Sequence, residues 1–144
     1  MDVKARAIIL VDGRLAITRQ RRRNQAYNAL PGGRVKPGES VLDTLVRELR
    51  EEVDVEIEPG RLVYIAEVLA PGVIHDLNLV FLASAPLVDE SERLELIEPS
   101  SERHVFPPLL GHIAADLVDH FAQAPRWLGN VWDPALLRVR EPRG

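Results

Sequence analysis

Cysteine is absent from these 144 residues, which excludes disulfides, thiolate metal sites and a cysteine nucleophile. Aromatic residues are scarce, at two Trp, two Tyr and three Phe, so most are needed as packing anchors and few remain to stack on a ligand. Long hydrophobic runs are missing as well. The run "AIILV" at 7–11 falls far short of the roughly 20 apolar residues that cross a bilayer. The start, "MDVKAR", has no signal-peptide core, and a cytoplasmic protein without membrane contact is expected. Nor is there an excess of positive charge, since 18 Lys and Arg face 22 Asp and Glu for a net −4. Nucleic-acid binding is therefore disfavoured, and an anionic substrate would have to be met by local basic groups or a bound cation. No internal repeat or low-complexity tract interrupts the chain. Its length suits one domain spanning 1–144, and 46% apolar with 28% charged residues fits a folded globule.

The pattern of elements begins with two β-rich runs, 4–11 and 14–21, around Asp12-Gly13, a dipeptide that favours a type I′ turn. A hairpin is expected to open the fold. The stretch "RRNQAYNALPGGRVKPGES" at 22–40, with two Pro and three Gly, reads as a functional loop and neither a long helix nor a central strand. Ser40 and Asp43 form a capping box ahead of residues 41–53, which contain no Gly or Pro and are expected to be helical. Strand-like runs at 61–69 and 77–85 flank the turn signal Pro71-Gly72. "ERLELIE" suggests another strand, and 108–124 shows helical spacing through Ile113, Leu117, Val118 and Phe121.

The helix at 41–53 is unusual in its acids. At 100° per residue, Leu42, Leu45, Val46, Leu49 and Val53 make one apolar arc, and Glu48, Glu51 and Glu52 fall on the adjacent one. Like charges one turn apart repel by a few tenths of a kcal/mol, so a solvated face would gain nothing from the clustering. Three carboxylates able to converge on one point suit a hard divalent cation, which takes oxygen ligands and keeps waters and phosphates in its shell.

The pattern G-x5-E-x7-R-E-U-x-E-E-x-G-U, with U aliphatic, is the Nudix box. This chain resembles it at Gly33, Glu39, Arg47, Glu48, Leu49, Glu51, Glu52 and Val55, with the flanks "ALPGG" and "KPGES" also similar. One position departs: Asp54 stands where the box has Gly to end the helix in a left-handed conformation. A strained or shifted cap, worth about 1 kcal/mol, is expected there. The resemblance covers residues 5–124 and implies an α/β fold, a mixed β-sheet sandwiched between α-helices. It implies a pyrophosphohydrolase that uses Mg²⁺ or Mn²⁺ on a nucleotide-type small molecule. Carried over, Glu48 and Glu52 would be the principal metal ligands, with Glu51 and the Gly33 carbonyl as further ones. Arg47 and Glu39 would hold loop and helix in register. The catalytic base would be Glu51 or Glu52, or an acid on a later loop; Glu102 is the choice among Glu90, Glu92, Glu95, Glu98 and Glu102, because "SSERHVFPP" resembles the family's loop before the last helix.

Other candidates are read from the residues themselves. Arg19 and Arg21 would share a strand face with Leu15 and Ile17 and could hold phosphates. Tyr27, Phe106, Trp127 and Trp132 could stack on a base; Tyr27 is favoured as a substrate contact, while His75 and His104 are ordinary surface histidines on the simplest account. Pro71, sixteen residues beyond Val55, resembles a mark of ADP-ribose pyrophosphatases within the family. ADP-ribose or another nucleotide sugar is thus placed ahead of normal or oxidised nucleoside triphosphates, and a non-catalytic nucleotide sensor behind both. The apolar extension 125–144, with Trp127, Leu128, Val131, Trp132, Leu136 and Leu137, would cap the cleft or form a homodimer contact, and the tail 138–144 is expected to be frayed.

Overall fold

The computed structural model describes residues 1–134; Leu136, Leu137 and the tail 138–144 lie outside the described residues. The chain order is β1 (Asp2–Ile8), β2 (Leu10–Val11), β3 (Arg14–Arg22), β4 (Gln25–Ala29), β5 (Gly32–Arg34), α1 (Val41–Val53), β6 (Glu58–Ala70), β7 (Ile74–Ser84), β8 (Leu94–Ile97), β9 (Val105–Phe106), α2 (Leu110–Leu117) and β10 (Arg126–Asn130). One mixed sheet runs β10-β6-β7-β1-β5, and a second runs β2-β3-β4-β9 with β8 also paired to β3. The strands alternate, so both sheets feed two cores. Ala5, Ala7 and Ile9 of β1 and its exit, with Ala16 of β3, pack beneath Leu45 and Leu49 of α1. Ile8, Leu15 and Ile17 face the other way, with Tyr64, Ala66 and Val80, onto Leu110 and Ile113 of α2. The expected architecture, a mixed β layer between helices, is the one observed.

Three expectations change. Asp12 and Gly13 do take positive φ, 51° and 78°, but the hairpin they close joins β2 to β3, while β1 leaves for the other sheet to pair with β5 and β7. The stretch 22–40 is not all loop. Arg23 and Asn24, φ 52° and 65°, turn the chain tightly so that β4 pairs with β3; that turn lacks the glycine that would have announced it. Helix α2 stops at Leu117. His120 and Phe121 adopt φ near 55° and 58°, and the Arg61 guanidinium donates to both of their carbonyls. Phe121 is consequently buried whereas Val118 is 85% exposed, which a continuous helix would not allow.

Helix α1 follows its sequence closely. The Ser40 hydroxyl accepts from the Asp43 N–H at 3.1 Å. At the other end Asp54 takes the left-handed conformation, φ 57° and ψ 41°. Its N–H reaches the Arg50 carbonyl, the five-to-one bond of an αL cap, and the Val55 N–H reaches the Leu49 carbonyl, each at 3.2 Å. The cap is strained but not shifted, and Leu49 and Val55 pack in the same core. Asp54→Gly should therefore raise unfolding stability by about 1 kcal/mol, read from the midpoint of denaturant unfolding; no gain would show that the aspartate sits there without strain.

Candidate active site

The segment before α1 is bound to it by one arginine. Arg47 Nε donates to Glu39 Oε2 at 2.7 Å and Nη2 to Glu39 Oε1 at 3.0 Å. The buried Thr44 hydroxyl adds a bond of 2.8 Å to the same carboxylate. These bonds, Arg47 first and Thr44 second, hold the Glu39 carboxyl down to about 2. Arg47 Nη1 also donates to Glu48 and to Glu51, both at 3.1 Å. One guanidinium thus touches three box acids, and Glu51 is drawn outward, its side chain 61% exposed.

Two glycines let the acids approach the sheet. A Cβ at Gly32, whose φ is 144°, would lie 1.9 Å from the Ala5 carbonyl oxygen, and one at Gly33 would lie 2.4 Å from the Glu48 carboxyl carbon. Glu48 is therefore seated against bare backbone. Beside it, Glu48, Glu51 and Glu52 line a cavity of about 350 Å³ together with Thr18, Gln20, Arg21 and Arg93. Glu52 is the most perturbed of these acids. Burial, then the charge of Glu48, push its carboxyl up to about 7, against the pull of Arg6 and hydrogen bonds from the Gly32 N–H and the Gln20 amide. Its Oε1 is buried with no hydrogen-bond partner. The three carboxylates do not form a ready-made cage: no group of three acid or histidine side chains suited to a metal occurs among the described residues, because Arg47 holds Glu51 aside.

An adjoining cavity of about 530 Å³ shares Glu51, Glu52 and Arg93 with the first and adds Glu90 and Glu92 from the β7–β8 connection. Arg93 donates to the Glu52 carbonyl at 3.1 Å, a favourable place for a cation at the end of a helix. Glu102 lines neither cavity and is exposed between β8 and β9. Arg19 lines the first cavity, but its guanidinium is engaged by the Ser91 and Glu92 carbonyls and by Glu95. Glu95 in turn holds Arg103 through bonds of 2.7 and 2.9 Å. Arg21 is exposed at the rim.

Tyr27 and Phe106 stand elsewhere, along a third cavity of about 490 Å³ with Lys4, Arg6 and Asp76. Arg6 separates this space from the acids. It is 7% exposed, donates to Asn78 Oδ1 at 3.2 Å and the Leu30 carbonyl at 2.9 Å, and feels the charges of both Glu52 and Asp76. Trp132 packs with Tyr27 and Phe106 in a small core, and Leu128 and Val131 pack on the main one. Trp127 remains exposed on the edge strand β10. The residues missed from the sequence are Gln20, Arg93, Arg6, Lys4 and Asp76. The signal for Arg6, Lys4 and Asp76 was polar residues at alternate positions in strands of mixed character.

A family model for the NUDIX domain matches residues 1–110. The chain belongs to the NUDIX family. No curated protein matches the sequence, but solved structures do. The Escherichia coli ORF135 protein is similar at 24% identity and TM-score 0.64, over 87% of this chain and 94% of its own. A UDP-X diphosphatase is similar at 17% and 0.65, over 89% and 66%. An ADP-ribose pyrophosphatase from Streptococcus suis is similar at 19% and 0.58, over 92% and 98%. At these identities they establish the shared fold.

As a Nudix hydrolase the chain is an enzyme of a family that generally uses divalent metal ions. The residues present fit such an ion. Glu52 Oε1 is a buried oxygen without a donor, Glu48 is adjacent, and a set of carboxylate and carbonyl oxygens suits a hard cation that retains waters. The same geometry sets a stability profile. Burial holds the proton on the folded Glu52 carboxyl up to about 7, against an ordinary 4.5, so the folded state binds more protons across that window and stability falls as pH rises through it. Glu52→Gln should be more stable than the parent at pH 8 by on the order of 2 kcal/mol, the gap closing near pH 4. Added Mg²⁺ should raise the melting temperature of the parent and leave the variant unmoved. Equal stability of the two at pH 8 would refute the account of a strained carboxylate.

Proposed function

We propose that this Nudix enzyme hydrolyses the pyrophosphate linkage of a nucleoside diphosphate joined to a second moiety, with Mg²⁺ held by Glu48, Glu52 and the Gly33 carbonyl, and that ADP-ribose and nucleotide sugars come ahead of triphosphates. The observation that carries this reading is the unpartnered Glu52 Oε1 beside Glu48, in a cavity open to substrate. A bound divalent ion would supply Lewis acidity, making water a better nucleophile and neutralising charge on the phosphoryl oxygens. Arg47 and Glu39 keep α1 and the β5 segment aligned. Arg21 and Arg93 offer cations to the phosphates, where Arg19 is already occupied. Glu52 or Glu51 would accept the proton of the attacking water, with Glu92 a nearer auxiliary acid than Glu102. The similar UDP-X diphosphatase and ADP-ribose pyrophosphatase folds support a diphosphate substrate. Pro71 does not, because it sits in the β6–β7 turn, where a proline serves the backbone. A cytoplasmic location and a homodimer contact through Trp127 complete the proposal.

The test is product release from ADP-ribose, nucleotide sugars, dinucleoside polyphosphates and normal or oxidised triphosphates with Mg²⁺ or Mn²⁺. Glu52→Gln should lose about two or more orders of magnitude in kcat, as expected for several kcal/mol of lost transition-state stabilisation. Glu92→Gln should lose more than Glu102→Gln. Nucleotide binding without turnover of any compound would instead favour a sensor.

A further inference from the structure

The inner face of β1 and β7 changes character part-way along. Asp76 pairs with Asp2 and Asn78 with Lys4 in parallel register, and strand alternation puts Lys4, Arg6, Asp76 and Asn78 on the face that continues into Ile8 and Val80 of the core. Four polar side chains thus replace apolar ones at one end of a buried face. Asp76 is only 5% exposed, yet among the described residues no hydrogen bond reaches its carboxylate from the protein. Burial pushes its pKa up while Lys4 pulls it down. Its oxygens are not among the buried atoms left without a partner, because they open on the 490 Å³ cavity whose walls include Lys4, Tyr27, Ile74 and Phe106. Arg6 cannot serve it through Nε or Nη1, which are held by Asn78 and Leu30.

We propose that this cavity reads a guanine base, the Asp76 carboxylate accepting the paired N–H donors of its Watson–Crick edge and the Lys4 ammonium donating to the adjacent O6. Asp76 and Lys4 are then specificity-determining residues of the hydrolase, an inference that rests on the nucleotide-hydrolase reading above and, within it, moves guanosine diphosphate compounds ahead of ADP-ribose. A carboxylate offers two acceptors side by side and an ammonium only donors. Guanine alone among the common bases offers two neighbouring donors, N1–H and the 2-amino group, next to a carbonyl. Adenine and cytosine would turn a ring nitrogen lone pair towards the carboxylate. Uracil brackets its single N–H with carbonyls. A site with buried polar groups rejects the ligand that leaves them unmatched far more strongly than an apolar pocket rejects an ill-fitting one. The half-buried Tyr27 and Ile74 suit the face of a planar ring, Phe106 is packed beneath the Arg6 guanidinium, and Arg6 sits between this ring and the acids that would act on the phosphates.

The experiment compares kcat/KM for GDP-, ADP-, CDP- and UDP-glucose with Mg²⁺, alongside calorimetric binding of GDP, ADP, CDP and UDP. The parent should favour GDP-glucose at least tenfold, chiefly through KM, and bind GDP most tightly. Asp76→Asn should lose that preference by roughly ten- to a hundredfold and gain activity on the xanthosine analogue, whose 2-oxo group accepts from the new amide; a merely structural aspartate would not shift preference between bases. Equal rates and equal binding for the four bases would overturn the inference while leaving the hydrolase standing. Failure to turn over any of the glucose diphosphates would count against nucleotide sugars as the substrate, and the binding order of the four diphosphates would still decide the base. If Asp76→Asn does not fold, the parent's binding order alone decides, and no preference for GDP refutes the assignment.

Discussion

Glu52 brings a carboxylate into the space between α1, the Gly32 backbone and Arg6, where lost hydration and the charge of Glu48 both oppose its ionisation. No group among the described residues satisfies its second oxygen. That imbalance is tolerable only because the rest of the structure fixes it in place. Gly32 and Gly33 remove the side chains that would hold α1 away from β1. The Arg47 fork on Glu39 locks the approach segment, and the left-handed cap at Asp54 ends the helix directly after its acids. A helix allowed to slide by half a turn would relieve the repulsion and lose the site.

Arg6 is the second half of the same constraint. A guanidinium stripped of water pays a large desolvation cost, which is offset here by anions on two sides and two neutral acceptors. Its position makes the acid cavity and the polar cavity electrostatic neighbours. With a net charge of −4 for the whole chain, cations have to be concentrated where phosphates would lie, and Arg6, Arg21 and Arg93 provide that concentration. Arg19, the most obvious candidate in the sequence, is instead part of the Glu95–Arg103 network that ties β3 to β8 and the following loop.

The legible parts of the sequence were those in which chemistry and backbone signals coincide. The acids of α1, its serine cap and the glycines ahead of it occupy contiguous residues, so their spacing survives without knowledge of the tertiary fold. Even Asp54 announced its left-handed conformation through the glycine it replaces. Arg6, Lys4 and Asp76 were hidden because each is a polar residue in a strand of mixed character, and alternation of polar and apolar residues ordinarily means a solvated face, whereas Gln20 was hidden among the arginines on either side of it. Only pairing β1 with β7 reveals that this face turns inward. The β3–β4 turn was hidden for a different reason, since Arg23 and Asn24 adopt positive φ without glycine. The end of α2 was fixed by Arg61, which reaches His120 and Phe121 from about sixty positions earlier in the chain.

The acid cavity and the proposed base cavity meet at one buried side chain, Arg6, which feels the charges of both Glu52 and Asp76. One oxygen of Glu52 has no partner among the described residues, no hydrogen bond from them reaches the Asp76 carboxylate, and both acids pull on the same buried arginine. Neutralising one acid leaves more of the Arg6 field for the other, so a ligand that satisfies Asp76 alters the balance felt by Glu52 across a single side chain. Proteins accept such locally unfavourable arrangements at sites of function and compensate for them elsewhere. In this chain the compensation lies in the two apolar cores that hold β1 from both faces. They allow one strand to place a charge in its interior without disturbing its register to β5 and β7.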